Sequence, residues 1–220
     1  MKRFTGLLLL LFVVLSFFLT CKNRDKTRIA LMTKFESGSI IGSSEAGAVN
    51  LYLEENGINN IEVIFIDDGW DPAKAVKAYE EVKRRGIDIL ITSHISTCAV
   101  AIAGMVNEDR VFTMVTGAVT DELSLKDDYI FRNIQDVEQE QKSIAEYVKQ
   151  NFPSPLLIVR DTDNYAYTGP AFKYFIRHYG SSNVSAVDVS MSSIDFNSLK
   201  KEMKKRKFES LYLLIGGYKI

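Results

Sequence analysis

The sequence is poor in the side chains that build metal and redox centres, with two cysteines and two histidines in 220 residues. No H-E-x-x-H, C-x-x-C or G-x-G-x-x-G spacing occurs, so zinc-hydrolase, dithiol and dinucleotide chemistry lack their usual frames. Charge of one sign is lacking too. The 27 Lys and Arg balance 28 Asp and Glu, leaving a net charge of −1, which excludes the single-sign field that would mark a nucleic-acid partner. Near-matches to catalytic motifs fail in detail. "GSSEA" (42–46) misses the last position of G-x-S-x-G, and "SLKK" (198–201) gives S-x-x-K without its companion motifs. "DTDNYA" (161–166) starts like a calcium loop but lacks the Gly and the terminal Glu. No catalytic residue, metal ligand or cofactor is assigned.

What is present is apolar material: 46% hydrophobic residues suffice for one good core or two small ones. Lys2 and Arg3 precede an apolar run, Leu7 to Leu19, that ends at Thr20-Cys21 and turns polar in "KNRDKT". This reads as an export signal over residues 1–20; the alternative is an uncleaved anchor, although the run falls short of the roughly 20 residues that span a bilayer. Cys21 stands where bacterial lipoproteins carry the acylated residue, and residues 21–27 then form a tether. Either way the rest of the chain is expected outside the cytoplasm. With Cys21 acylated, Cys98 has no disulfide partner and is expected to be a small buried hydrophobe near a helix start.

Beyond the tether, strand-like and helix-like segments alternate. Strands are predicted at 28–32, 61–66, 87–92 and 111–115, with helices at 40–55, 72–85, 97–108 and 138–150. Strands this apolar belong to a parallel sheet covered on both faces. "QNFPSP" breaks the pattern, dividing an N-terminal lobe (28–150) from a second lobe (151–220). The second lobe holds strands at 156–161, 184–190 and 210–216 and helices at 167–179 and 196–206. Phe172, Phe175, Ile176 and Tyr179 are spaced to share one buried helix face. The expected fold is α/β, with two Rossmann-like αβα lobes and mainly parallel sheets. The second lobe is expected to be incomplete, because it ends at "GGYKI" without a closing helix.

"FIDDGWDPAKAVKAYEEV" (65–82) places three carboxylates within five positions. Asp71-Pro72 supplies an N-cap followed by proline at the first helical position. Asp67 and Asp68 end a strand, at the edge where open α/β sheets present a ligand crevice. An architectural role is expected for all three, with a site role as the alternative. His94 lines that crevice by position or is a hydrogen-bonded loop histidine.

The same stretch, with "IALMTKFESGSIIGSSEAGAVNLYLEENG", "LITSHISTCAVA", "VTGAVTDEL", "YIFRN", "DVEQEQKSIAEYV" and "RDTDNYAYTGPAF" in order, resembles the type I periplasmic binding proteins. This is the branched-chain amino-acid receptor family of ABC transporters, and the similarity runs from Arg28 to the last residue. The resemblance places Gly38, Gly42 and Gly47 in the family's first loop and helix. It implies a solute-binding lipoprotein that holds a small polar ligand, an amino acid or amide-like molecule, between two lobes and serves an ABC permease. A ligand-sensing ectodomain, a truncated fragment without function and an exported hydrolase are the alternatives. By the same resemblance, Ser96 and Thr97 hold the hydroxyl-donor position at a helix N-terminus, with plain N-caps as the alternative. Gly117 and Ala118 fall in a loop that contributes backbone contacts. The loop threonine falls on Val119, with Thr120 one position late. Tyr165 and Tyr218 match second-lobe aromatics, and Ile41 and Trp70 are further pocket candidates.

Overall fold

The computed structural model describes residues 26–35 and 39–215. The leader, Cys21, Gly38 and Tyr218 therefore lie outside the described residues. The first lobe runs β1 (Thr27–Thr33), α1 (Ile40–Glu55), β2 (Ile61–Asp67), α2 (Pro72–Arg84), β3 (Ile89–Thr92), α3 (Ser96–Asp109), β4 (Phe112–Val115) and β5 (Ile130–Arg132). Then come α4 (Val137–Asn151), β6 (Leu156–Asp161), α5 (Tyr165–Tyr179), β7 (Val184–Val189), α6 (Phe196–Lys204) and β8 (Ser210–Leu214). The expected strands and helices are all present. Strand β5 is additional; three residues are too few to show a period.

All the sheet pairings are parallel. The first sheet has the order β2-β1-β3-β4-β5 and the second the order β7-β6-β8. The chain moves outward from β1 in both directions, so the loops after β1 and β3 diverge at their carboxyl ends, where open α/β sheets form a crevice. Ala30 and Met32 of β1, Leu90 of β3, Tyr79 and Val82 of α2, and Ile102 and Val106 of α3 pack into one core. Helix α1 buries only Gly42.

The second core joins Leu156 and Ile158 of β6, Phe175 and Tyr179 of α5, and Leu214 of β8 to Val137 and Ala145 of α4. Phe172 and Ile176 pack against it, completing the helix face expected from their spacing. Packing thus groups α4 with the second sheet, whereas the proline-marked break follows it. A polar network ties α4 to its neighbours. The Tyr212 hydroxyl donates to Gln141 Oε1 (3.0 Å) and the Tyr167 hydroxyl to Glu140 Oε2 (3.1 Å). Burial pushes the Tyr212 hydroxyl up to about 12; burial, and then the Glu140 carboxylate, raise that of Tyr167.

Helix α2 starts as its sequence predicts. Asp71 Oδ1 accepts from the Lys74 N–H at 2.9 Å, with Pro72 next. Asp71→Ala is expected to cost about 1 kcal/mol, a melting-temperature drop of roughly 2–4 °C for a chain of this size, measurable by calorimetry.

Candidate functional site

The loop after β2 is built on carboxylates that accept local N–H groups. Asp67 Oδ1 accepts from Gly69 (2.9 Å) and from Phe35 (3.0 Å), tying this loop to the end of β1. Asp68 Oδ1 accepts from Trp70 (3.0 Å) while Oδ2 meets His94 Nδ1 at 2.8 Å. Both side chains of that pair are fully buried. His94 is therefore the hydrogen-bonded loop histidine, joining the β2–α2 loop to the β3–α3 loop. Trp70, held at φ 53, donates its Nε1–H to the Ser93 carbonyl at 3.0 Å. The three acids are thus the turn, the inter-loop tie and the cap of this corner. Cys98 is buried beneath it, and its thiol is pushed up by burial first and by Asp68 and Asp71 second.

That corner sets the start of α3. Its N-cap position is Ile95, which has no side chain able to cap. Ser96 and Thr97 are the first two helical residues, so neither is the N-cap of α3. Ser96 is buried. Thr97 presents two donors to the second lobe: its N–H and its hydroxyl lie 3.3 and 3.1 Å from Asn164 Oδ1. Asn164 stands at the N-cap position of α5 but makes no side-chain cap to its own helix. The two helix starts therefore face each other across the lobes, with one amide side chain between them.

The loop after β4 separates the remaining expected residues. Gly117 runs beneath the preceding loop: a Cβ there would meet the His94 carbonyl oxygen at 3.1 Å. Ala118 is buried in a small cluster with Ala99, Val115 and Leu123. Val119 packs into the core of the second lobe, which is why an apolar residue suits that position. Thr120 is buried and caps the short 3-10 turn Asp121–Leu123 by accepting from Glu122. Its carbonyl accepts from Arg132 at 2.7 Å. In the turn itself, Asp121 accepts from the Tyr174 hydroxyl of α5 at 2.9 Å. Of these four residues, Gly117 alone is exposed.

Tyr165, the first residue of α5, is 61% exposed. A Cβ at Gly169 would come within 3.0 Å of its ring, so this glycine lets the ring lie along the helix. Ile41 is partly exposed on α1. The structure thus brings together Thr97 and the start of α5 that carries Tyr165, and assigns the side chains of Ala118, Val119 and Thr120 to packing and capping. Asn164 was not singled out by sequence, and Asp68 and His94 were singled out separately but not as a pair. Asn before a helix signals a local cap, and nothing local tells that its side chain turns to another lobe.

Comparison with known proteins agrees with this architecture. A family model described as periplasmic binding protein matches residues 27–218. The chain is 25% identical over 176 residues to the Leu/Ile/Val-binding protein homolog 3 of Brucella melitensis, covering 78% of this chain and 47% of that protein. It is 26% identical over 167 residues to the Leu/Ile/Val-binding protein of Escherichia coli, covering 73% and 44%. The chain thus spans about half the length of the curated relatives it matches. Among solved structures, a solute binding protein of an ABC transporter from Rhodopseudomonas palustris, in complex with 3,4-dihydroxybenzoic acid, shares the fold. Its TM-score is 0.74 at 20% identity, over 87% of this chain and 55% of that one. The branched-chain amino acid transporter substrate binding protein of Streptococcus pneumoniae, in complex with isoleucine, gives 0.72 at 20% identity, over 86% and 56%. Two parallel α/β lobes whose helix starts converge, together with a family match over nearly the whole chain, lead to one conclusion: the chain belongs to the periplasmic binding protein family.

Proposed function

We propose that this chain is the ligand-binding part of an extracytoplasmic receptor that holds a small carboxylate between its lobes for delivery to an ABC permease. The observation that carries the reading is the pair of Thr97 donors at the start of α3, aimed at the start of α5 in the other lobe. Unpaired N–H groups in a first helical turn, with the helix dipole behind them, favour an anion. Isoleucine and dihydroxybenzoic acid, the ligands of the two solved relatives, differ in every part except the carboxylate. Thr97 is the proposed carboxylate contact, with Ser96 behind it. Gly117 and its neighbours to Thr120 supply the loop floor, and Tyr165 and Tyr218 are the proposed second-lobe aromatics. The leader and an acylated Cys21 are the proposed route to the membrane.

The test is a thermal-shift screen of the full chain against branched-chain amino acids, hydroxybenzoates and the matching amides. A ligand bound only by the folded state at a hundredfold over its Kd stabilises by about 2.7 kcal/mol, a rise of roughly 5–10 °C at this chain length. At least one carboxylate is expected to produce it while its amide does not. Equal shifts from acid and amide, or none from any acid, would refute the reading.

A further inference from the structure

Of two helices that begin opposite each other, one is capped by the other's N-cap residue. Helix α3 has at its N-cap position Ile95, which has no side-chain acceptor, and helix α5 has Asn164, among the best N-cap residues known, whose side chain leaves its own helix uncapped. The missing acceptor of the first helix is supplied by the unused one of the second. Asn164 Oδ1 takes both the Thr97 N–H and the Thr97 hydroxyl, at 3.3 and 3.1 Å. An amide N–H can only be met by an acceptor, so the oxygen, not the nitrogen, of the Asn164 side chain faces Thr97. Asn164 is 6% exposed, which shields the contact from water. Two further bridges between the lobes, Tyr174 to Asp121 and Val119 in the second core, belong to the loop after β4. Asn164 joins the two helix starts.

We propose that Asn164 is an internal competitor for the anion-holding start of α3, capping that helix from the opposite lobe until a ligand carboxylate displaces its side-chain oxygen. This deepens the reading above and rests on it for the identity of the displacing group. The neutral carbonyl is the weaker acceptor: hydrogen bonds to a charged oxygen are roughly twice as strong as neutral ones. A carboxylate therefore wins the exchange where water does not. The lobe–lobe bond must break as the ligand arrives, so entry and interlobe rearrangement become one event, with the same two donors serving both states.

The experiment uses the full chain with N164A and N164D, read by hydrogen exchange at the Thr97 amide and by calorimetric titration with isoleucine and 4-hydroxybenzoate. In the unliganded protein, N164A is expected to speed Thr97 exchange at least tenfold, because the acceptor is gone. N164D, which keeps an acceptor, is expected to leave that exchange slow. Carboxylate affinity is expected to rise about five- to tenfold in N164A, the worth of one competing hydrogen bond, and to fall at least tenfold in N164D, whose charge repels the ligand. A purely structural Asn164 gives the opposite sign in N164A, namely weaker binding, and that result would overturn the proposal. Unchanged Thr97 exchange in N164A would overturn it as well. Faster exchange with no carboxylate bound by any of the three proteins would refute the ligand reading and the competition built on it, while leaving the cap between lobes in place.

Discussion

Asp68→Ala is expected to lower the unfolding free energy by about 3–5 kcal/mol. The carboxylate is fully buried and uses both oxygens, one for the Trp70 N–H and one for His94 Nδ1 at 2.8 Å. Truncation removes both acceptors. It leaves a fully buried imidazole whose other nitrogen, Nε2, already has no hydrogen-bond partner, and an unmatched buried polar group carries its whole desolvation penalty. The Trp70 turn, at positive φ, loses its backbone bond to Asp68, which loosens the corner beneath α3. Asp68→Asn keeps the volume and one acceptor, so its loss is expected to be smaller. Urea unfolding monitored by circular dichroism measures both. A loss below about 1 kcal/mol for D68A would show that water replaces the carboxylate and that the pair is dispensable.

Gly42→Ala is expected to destabilise by about 3 kcal/mol, at the upper end of what overpacking costs. A Cβ at this position would lie 2.2 Å from the Lys34 carbonyl oxygen and 2.9 Å from its carbon. These are backbone atoms that no rotamer change can move aside. Either the start of α1 lifts or the end of β1 shifts. Gly47, five residues along the same helix, has nothing within 4 Å of its would-be Cβ. Gly47→Ala is therefore expected to stabilise by up to about 1 kcal/mol through helix propensity. The pair of variants differs only in surroundings, so opposite signs are the diagnostic result.

The two glycines also mark how far the residues alone reach. Both stood out in the sequence as features of the first loop and helix, yet only the packing tells that one is a contact with the segment following β1 and the other a solvent-facing position. Local chemistry was legible wherever partners are close in the chain. Asp71-Pro72 announced the start of α2, and the four-residue spacing of α5 announced its buried face. It failed where the partner is distant. Asp68 and His94 are 26 residues apart and Thr97 and Asn164 are 67 apart, with no periodicity to connect them. Helix α5 also begins two residues before its predicted start, with Pro170 inside it. Val119, in the loop expected to meet a ligand, turns its side chain to the second core; an apolar residue one position before a threonine carries no label for the lobe it faces.

The proposed binding requires the start of α3 to receive a carboxylate between the lobes. A crystal structure of the chain with the carboxylate that gives the largest thermal shift tests it most directly. A carboxylate oxygen is expected about 3 Å from the Thr97 N–H, in the place of Asn164 Oδ1, with the Tyr165 ring over the ligand. A carboxylate held at a surface away from both helix starts, with Thr97 still bonded to Asn164, would contradict it.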